Sequence, residues 1–437
     1  MNRRVVMLRA LAGMFGLGGG RALAARSPGG LSFGRPEDVG FDPARLGRLD
    51  DAMRRTVTNN QIAGGVTLLA RRGKIVQLRA YGQRDINLGD PMTSDAIFRI
   101  RSETKPITAL AMMMLYEQGL WGLDDPVTYF IPEFTDLKVF KTADANGAIT
   151  AVEPVTRPPT MRELMTHTAG FAYGLAGDSP PDRAYLEAGV LTADSLSDMV
   201  RRIAEQPMFC QPGKMWRYSI ATDIQGHIIE RLSGMSLPDF FKTKIFDPLG
   251  MVDTGFYVAP EKRRRLATLY DIDYSTNRLA EPPTPRWRDV LQPPLAPSAG
   301  GGLVSTARDY ARFCQMILNA GELDGVRIVR PTSIAIMGSN HLPPSFSVTS
   351  DGIRPFPFGP GLGFGLNMAV SVDPLLGNAP VGKGTVSWGG SAGTWFWADP
   401  TNDLFFVGMI QRLGGVGSGL DAETRNLVYQ ALVDRAK

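Results

Sequence analysis

Behind Asp42–Pro43, the apolar residues Leu46, Leu49, Met53 and Val57 recur at steps of three and four. An aspartate followed by proline at the first helical position, then a stripe at this period, predicts an amphipathic helix. The pattern then changes. Gly65–Ala70 and Ile75–Tyr81 are rich in β-formers and are separated only by Arg71–Lys74, which predicts a hairpin. A second hairpin is expected near the end of the chain, with Thr394–Asp399 and Leu404–Gln411 flanking Pro400–Asp403 and a helix following over Ala422–Ala436. Between these ends, from Pro106 to about Leu249, helical spacing dominates, as in Leu110, Met113, Met114 and Glu117, or Ile224, His227, Ile228 and Arg231.

Strands at both ends with helices between them predict an α+β fold. Residues 30–105 and 298–437 form an antiparallel β-sheet flanked by helices, and residues 106–297 form a mainly helical insertion. Pro282–Pro297 and Pro343–Gly365 read as long loops, which in compact domains often carry function. A chain of 437 residues with 43% hydrophobic content can bury a core divided over two such regions.

Composition narrows the function classes. The net charge of +4 arises from 47 basic and 43 acidic residues without a block of like charge, and no basic stripe is interleaved with aromatics, so no nucleic-acid partner is expected. Cys210 and Cys314 lack any metal-binding spacing and are expected to be buried hydrophobes, and His167, His227 and His341 stand far apart. No metal and no cofactor are expected. Arg3 and Arg4 precede a mildly apolar run to Leu23, with Ala22-Leu23-Ala24 as a cleavage site, although Arg9 interrupts the run. Residues 1–25 are thus expected to be either a twin-arginine-like export leader or a disordered segment, which leaves cytoplasmic and periplasmic locations both open. No segment reaches the roughly 18 uninterrupted apolar residues that a membrane span requires.

The candidate chemistry begins at Ser102-Glu103-Thr104-Lys105, a Ser-x-x-Lys motif that opens a helical run. Residues three apart share a helix face, so the lysine amine falls within reach of the serine hydroxyl. With 22 Ser and ten Lys in the chain, about 0.5 such pairs arise by chance, so spacing alone decides nothing. The setting adds more. An apolar segment, Ile97–Ile100, gives way to a helix at Ser102, where backbone N–H groups and the helix dipole favour developing negative charge. Lys105 acts as base if its surroundings favour the neutral amine, or stays charged and supports a tyrosinate. An ordinary helix N-cap and a solvated lysine are the competing readings.

Further blocks follow in order: Ile100–Thr108, Leu164–Phe171 (Leu-Met-Thr-His-Thr-Ala-Gly-Phe), Tyr218-Ser219-Ile220-Ala221-Thr222-Asp223, Gly300–Ala307 and Trp388-Gly389-Gly390. Together they resemble the β-lactamase-related serine hydrolases of the penicillin-recognising fold, and within them the carboxylesterases similar to class C β-lactamases, over roughly residues 40–435. The resemblance implies that Ser102 is the acylated nucleophile, Lys105 its activating partner and Tyr218 the general acid/base. A phenol has an ordinary pKa of about 10, so that role needs positive charge nearby. The resemblance also puts Trp388, Gly389 and Gly390 along the substrate and the N–H groups of Ser102 and Ser391 in an oxyanion hole. The chain departs from the lactamase pattern at two places. Trp388 stands where a cationic lysine is expected, and Ile220 where an asparagine is. Both losses remove groups suited to a β-lactam and favour an apolar ester pocket.

The expected function is therefore cleavage of small-molecule carboxylic esters through an acyl-enzyme on Ser102. The alternatives are a β-lactamase or D-peptide hydrolase, an acyltransferase using the same intermediate, and a non-catalytic binding protein of the same fold. Two decoys are set aside. Gly389-Gly390-Ser391-Ala392-Gly393 matches a nucleophile elbow, but no histidine follows it and Thr394–Trp397 reads as strand. Gly377–Lys383 approaches a phosphate loop without the Ser/Thr and helix it needs. His167 and His227 are expected to be structural. Trp216, Trp395 and Trp397 are expected in core or pocket wall, and Trp287 as a substrate contact from the Pro-rich loop.

Overall fold

A computed structural model describes residues 30–434 apart from 176, 178, 274, 283–289, 344–358 and 416–418. The expected leader over residues 1–25 and the expected substrate contact Trp287 lie outside the described residues. Asp42 caps the first long helix, Pro43–Thr58, its Oδ1 accepting the N–H groups of Ala44 at 2.9 Å and Arg45 at 3.1 Å. The helix buries Leu46, Leu49 and Met53. The hairpin expected next is present as Gly64–Arg71 and Lys74–Asp85. Its two-residue turn puts Arg72 and Gly73 at φ 52° and 74°, the left-handed pair that matches strand twist.

Nine strands form the main sheet, eight of them in the order Ser32–Phe33, Lys74–Asp85, Gly64–Arg71, Leu404–Ile410, Thr394–Asp399, Val386–Gly390, Ala369–Ser371 and Leu362–Phe364. Asp90–Pro91 adds to the Lys74–Asp85 strand. Only the first pair is parallel. The two hairpins read from the chain ends join through Gly64–Arg71 and Leu404–Ile410, paired from Leu404 with Arg71 to Ile410 with Gly65.

Every residue of Gly64–Arg71, Thr394–Asp399 and Leu404–Ile410 is buried, so both faces of the central sheet are covered. One face packs Leu69, Trp395, Trp397 and Phe406 against Leu46, Leu49 and Met53 of the first helix and Val428 of the last helix, Leu420–Ala431. The other packs Leu68, Phe396 and Phe405 against Tyr310 and Phe313 of Ala307–Leu318 and against the Thr104–Glu117 helix. Thr104 to Met113 are all buried, which makes Thr104–Glu117 an interior helix rather than a surface one.

The middle of the chain is helical over Met161–Met165, Pro180–Glu187, Leu196–Ala204, Ala221–Ser233 and Leu237–Phe241. It also holds hairpins that the helical reading did not include, Lys138–Ala143 with Ile149–Pro154 and Asp271–Asp273 with Arg278–Ala280. The first is half-exposed, and its short alternating stretches carry too little apolar signal to stand out beside helices. Cys314 is buried as expected, whereas Cys210 is only half-buried. No helix among the described residues is long and apolar enough to cross a membrane.

Candidate active site

Ser102 lies in a single 3-10 turn, Arg101–Glu103, that leads into the Thr104–Glu117 helix. Its hydroxyl caps no helix N–H, which removes the N-cap reading. Arg101 enters the turn at φ 47°, a costly conformation for a non-glycine residue. The hydroxyl instead accepts a 2.6 Å hydrogen bond from the Tyr218 hydroxyl and lies 3.5 Å from Lys105 Nζ.

Lys105 is completely buried, so the solvated-lysine reading also fails. Nζ donates to the Gly300 carbonyl at 2.6 Å and to the Tyr173 hydroxyl at 3.2 Å, with Ser102 Oγ as the longer third contact. Three acceptors match the three N–H bonds of an ammonium. Nζ also stands 4.5 Å from the ring centre of Tyr218 and 5.4 Å from that of Tyr173, both favourable for a desolvated cation.

Tyr218 stands just ahead of the Ala221–Ser233 helix, in a stretch without regular structure. His167 holds it from both sides. The His167 carbonyl accepts the Arg217 N–H at 2.8 Å, its Nδ1 accepts the Ser219 N–H at 3.3 Å and lies 3.2 Å from Ser219 Oγ, and its ring centre is 4.9 Å from that of Tyr218. Burial, and secondarily the Lys105 charge, push the imidazole well below its ordinary pKa, so the ring is neutral. Because Nδ1 accepts, the proton is assigned to Nε2. The polar contacts of His167 go to the segment around Tyr218 and not to Ser102.

Tyr173 is a site residue that the sequence reading missed. Burial raises its hydroxyl well above the ordinary phenol pKa, so it meets Lys105 as a neutral phenol. Its N–H donates to Asp182 Oδ1 at 2.8 Å, and the Asp182 carboxylate also pairs with Arg217 beside Tyr218. Tyr173 follows the Leu164–Phe171 block by two positions, and that proximity was the available signal.

The Val386–Gly390 strand ends against the serine turn. A Cβ at Gly390 would stand 2.0 Å from the Ile100 carbonyl oxygen, and Thr394 Oγ1 donates to that oxygen at 3.2 Å, so only glycine allows this approach. Ser391 is exposed in the turn beyond, where Gly393 N–H closes onto the Gly390 carbonyl at 2.8 Å. That turn joins Val386–Gly390 to Thr394–Asp399, two strands, which excludes a nucleophile elbow at Ser391. Gly377–Lys383 likewise leads into a strand and not a helix.

An aromatic wall surrounds the hydroxyl cluster. The Trp388 ring centre is 6.0 Å from Tyr218 and 5.5 Å from Phe364, and Trp216 stacks on Tyr218 at 6.2 Å. Trp395 and Trp397 belong instead to the core behind the sheet. No group of three or more His, Cys, Asp or Glu suited to a metal ion occurs among the described residues.

With this geometry in place, the comparisons with known proteins fall on one side. Residues 49–431 match the family described as Beta-lactamase. The chain belongs to the beta-lactamase family. Its relatives in that family include Protein Rv1367c of Mycobacterium tuberculosis, 38% identical over 80% of this chain and 86% of that protein. Esterase EstB of Burkholderia gladioli is 33% identical over 83% of this chain and 89% of its own length. Among solved structures, EstCE1, titled a hydrolase with promiscuous acyltransferase activity, superposes with a TM-score of 0.73 at 27% identity, covering 88% of this chain and 99% of that one. The fold is that of β-lactamases and penicillin-binding proteins, and this member of the beta-lactamase family is a serine hydrolase, an enzyme of ester cleavage or acyl transfer.

Proposed function

We propose that the chain cleaves small-molecule carboxylic esters through an acyl-enzyme on Ser102. The observation that carries this is the Ser102 hydroxyl held at 2.6 Å by Tyr218 and 3.5 Å by a fully buried Lys105. Ser102 Oγ attacks the ester carbonyl and its proton passes to the Lys105/Tyr218 pair. The oxyanion that forms is met by the N–H groups of Ser102 and Ser391, the latter at the strand end pressed against the serine turn. The carbon–oxygen bond to the alcohol then breaks, and the alcohol leaves with the proton returned by the pair. Water attacks the acyl-enzyme by the reverse route and frees Ser102.

In this reading Trp388, Gly389 and Gly390 flank the acyl group, and substrate enters between the sheet-bearing part, residues 30–105 and 298–437, and the helical part, residues 106–297. The first supplies Ser102, Lys105 and Ser391, and the second supplies Tyr173 and Tyr218. Trp388 packed on Phe364 gives the acyl group an apolar surface where a lactam carboxylate would need a cation. Acyl transfer is the second reading, favoured by EstCE1, whose title joins hydrolase and acyltransferase activity in one protein. An alcohol that enters the wall in place of water would accept the acyl group.

Intact-mass analysis after a fluorophosphonate probe tests the nucleophile, with p-nitrophenyl acetate, butyrate and octanoate turnover measured beside nitrocefin. The expected result is a single adduct, lost in Ser102→Ala, and ester turnover above nitrocefin turnover. An unlabelled Ser102 with ester turnover unchanged in Ser102→Ala would overturn the mechanism. Nitrocefin rates far above the ester rates would establish the lactamase reading.

A further inference from the structure

Lys105 is fully buried, and its polar contacts are with neutral oxygens: Gly300 O, the Tyr173 hydroxyl and Ser102 Oγ. A buried ammonium with only neutral partners is costly unless an opposite charge stands close. Asp223 reaches Lys105 through a single residue, Gly300. It lies in the first turn of Ala221–Ser233, is 2% exposed, and its Oδ1 accepts the Gly300 N–H at 3.0 Å and the Ser298 hydroxyl at 2.6 Å. Gly300 therefore has its N–H held by Asp223 and its carbonyl aimed at Lys105.

Two further contacts fix this turn. Gly302 N–H closes onto Ser298 O at 2.9 Å, and Thr108 Oγ1, one helical turn beyond Lys105, donates to Ala299 O at 2.7 Å. A Cβ at Gly300 would stand 2.4 Å from Asp223 Oδ2, so a side chain there would push the carboxylate away. The negative charge also reaches the neighbouring phenol. Among the causes that raise Tyr173, Asp223 acts in the same direction as burial and Tyr218.

We propose that Asp223 is the positioning residue and buried counter-charge of Lys105, acting through Gly300. The proposal rests on the acyl-enzyme reading and adds to it a group that touches neither substrate nor Ser102. The groups that face Lys105 are Ser102, Tyr173, Tyr218 and His167, with Arg101 and Glu103 in the preceding turn. A negative charge stabilises the protonated form of every titratable group around it, so its removal moves a pH–rate profile to lower pH whichever of Lys105 and Tyr218 is the base.

Two variants of the full chain separate charge from position. Asp223→Asn keeps an oxygen acceptor for Gly300 N–H and loses the charge. Its profile of kcat/KM for p-nitrophenyl butyrate is expected to move down by roughly 0.5 to 1 pH unit with KM within about twofold. Asp223→Ala loses both, and kcat is expected to fall about 100-fold at every pH with KM little changed. A wild-type profile in Asp223→Asn overturns the counter-charge, and kcat within about twofold of wild type in Asp223→Ala overturns the positioning. If Asp223→Ala does not fold, as read by circular dichroism, the Asn profile decides alone. Failure of the acyl-enzyme reading looks different, because wild-type Ser102 would then go unlabelled by the fluorophosphonate.

Discussion

The two halves of the site are built in different ways. Ser102 sits in the 3-10 turn that runs straight into the interior helix carrying Lys105, a helix whose first ten residues are all buried, so their separation is set by local backbone geometry and by the packing around Lys105. Tyr218 and Tyr173 come from loops, and their positions depend on hydrogen bonds that His167 accepts from residues 217 and 219 and that Asp182, on the Pro180–Glu187 helix, accepts from residues 173 and 217. Ser102 and Lys105 are thus placed by local geometry, and Tyr218 by long-range contacts. A helix turn tolerates small shifts elsewhere, whereas a loop held by two or three hydrogen bonds moves when one is lost.

The comparison breaks first at the chemistry itself. Ser102→Ala should reduce ester kcat by about 10⁴ or more, and intact-mass labelling should vanish with it. Tyr218→Phe keeps the ring against Lys105 and Trp388 and removes only the hydroxyl, so kcat should fall roughly 10²- to 10³-fold with KM nearly unchanged in steady-state assays. The loop support comes next. His167→Leu, which removes the Nδ1 acceptor, should lower kcat by about tenfold to 100-fold, while His167→Asn offers an oxygen acceptor and tolerates the φ of 57°, so it should recover most of the rate. Equal losses in the two variants would show that packing alone, and not the bond to residue 219, places Tyr218.

Two buried groups sharpen the comparison through pH. His167 is held below its ordinary pKa in the folded chain. The unfolded chain therefore binds more protons as pH falls below about 6.5, and the stability that neutral His167 permits is lost in that direction. Glu103, fully buried on the serine turn, is held well above its ordinary pKa by burial, so it is protonated when folded. Its contribution has the opposite sign, with stability falling as pH rises above about 4.5. Thermal melts should then show Glu103→Gln gaining on wild type with rising pH, and His167→Asn gaining as pH falls below neutrality. The smallest effect is expected at the wall. Trp388→Ala should change the ratio of octanoate to acetate turnover by about tenfold or less, with labelling of Ser102 retained.

Much of the fold was legible because its signals are local. The Asp42–Pro43 cap, the 71–74 turn and the alternation in the two terminal hairpins depend on neighbours within a few residues, and the structure places those elements within a residue or a few of their expected bounds. The Lys138–Pro154 hairpin was lost because half-exposed strands leave a weak periodic trace. Of the three side chains that meet at the candidate site, Ser102 and Lys105 stood out in the sequence by their spacing and the ordered blocks, and Tyr218 by its block. Tyr173 did not, since its place two positions after the Leu164–Phe171 block does not by itself distinguish it from a core aromatic.

By itself the sequence determined which residue types were available for acyl chemistry, their order, and the replacement of a lysine by Trp388 and an asparagine by Ile220. Tertiary structure alone decided which of them meet. Gly300 lies 195 positions from the Lys105 it accepts from, and Tyr218 lies 116 from the Ser102 it holds. Contacts of that separation leave no periodic mark on either segment, because they depend on how two independently formed elements pack and not on the residues beside them.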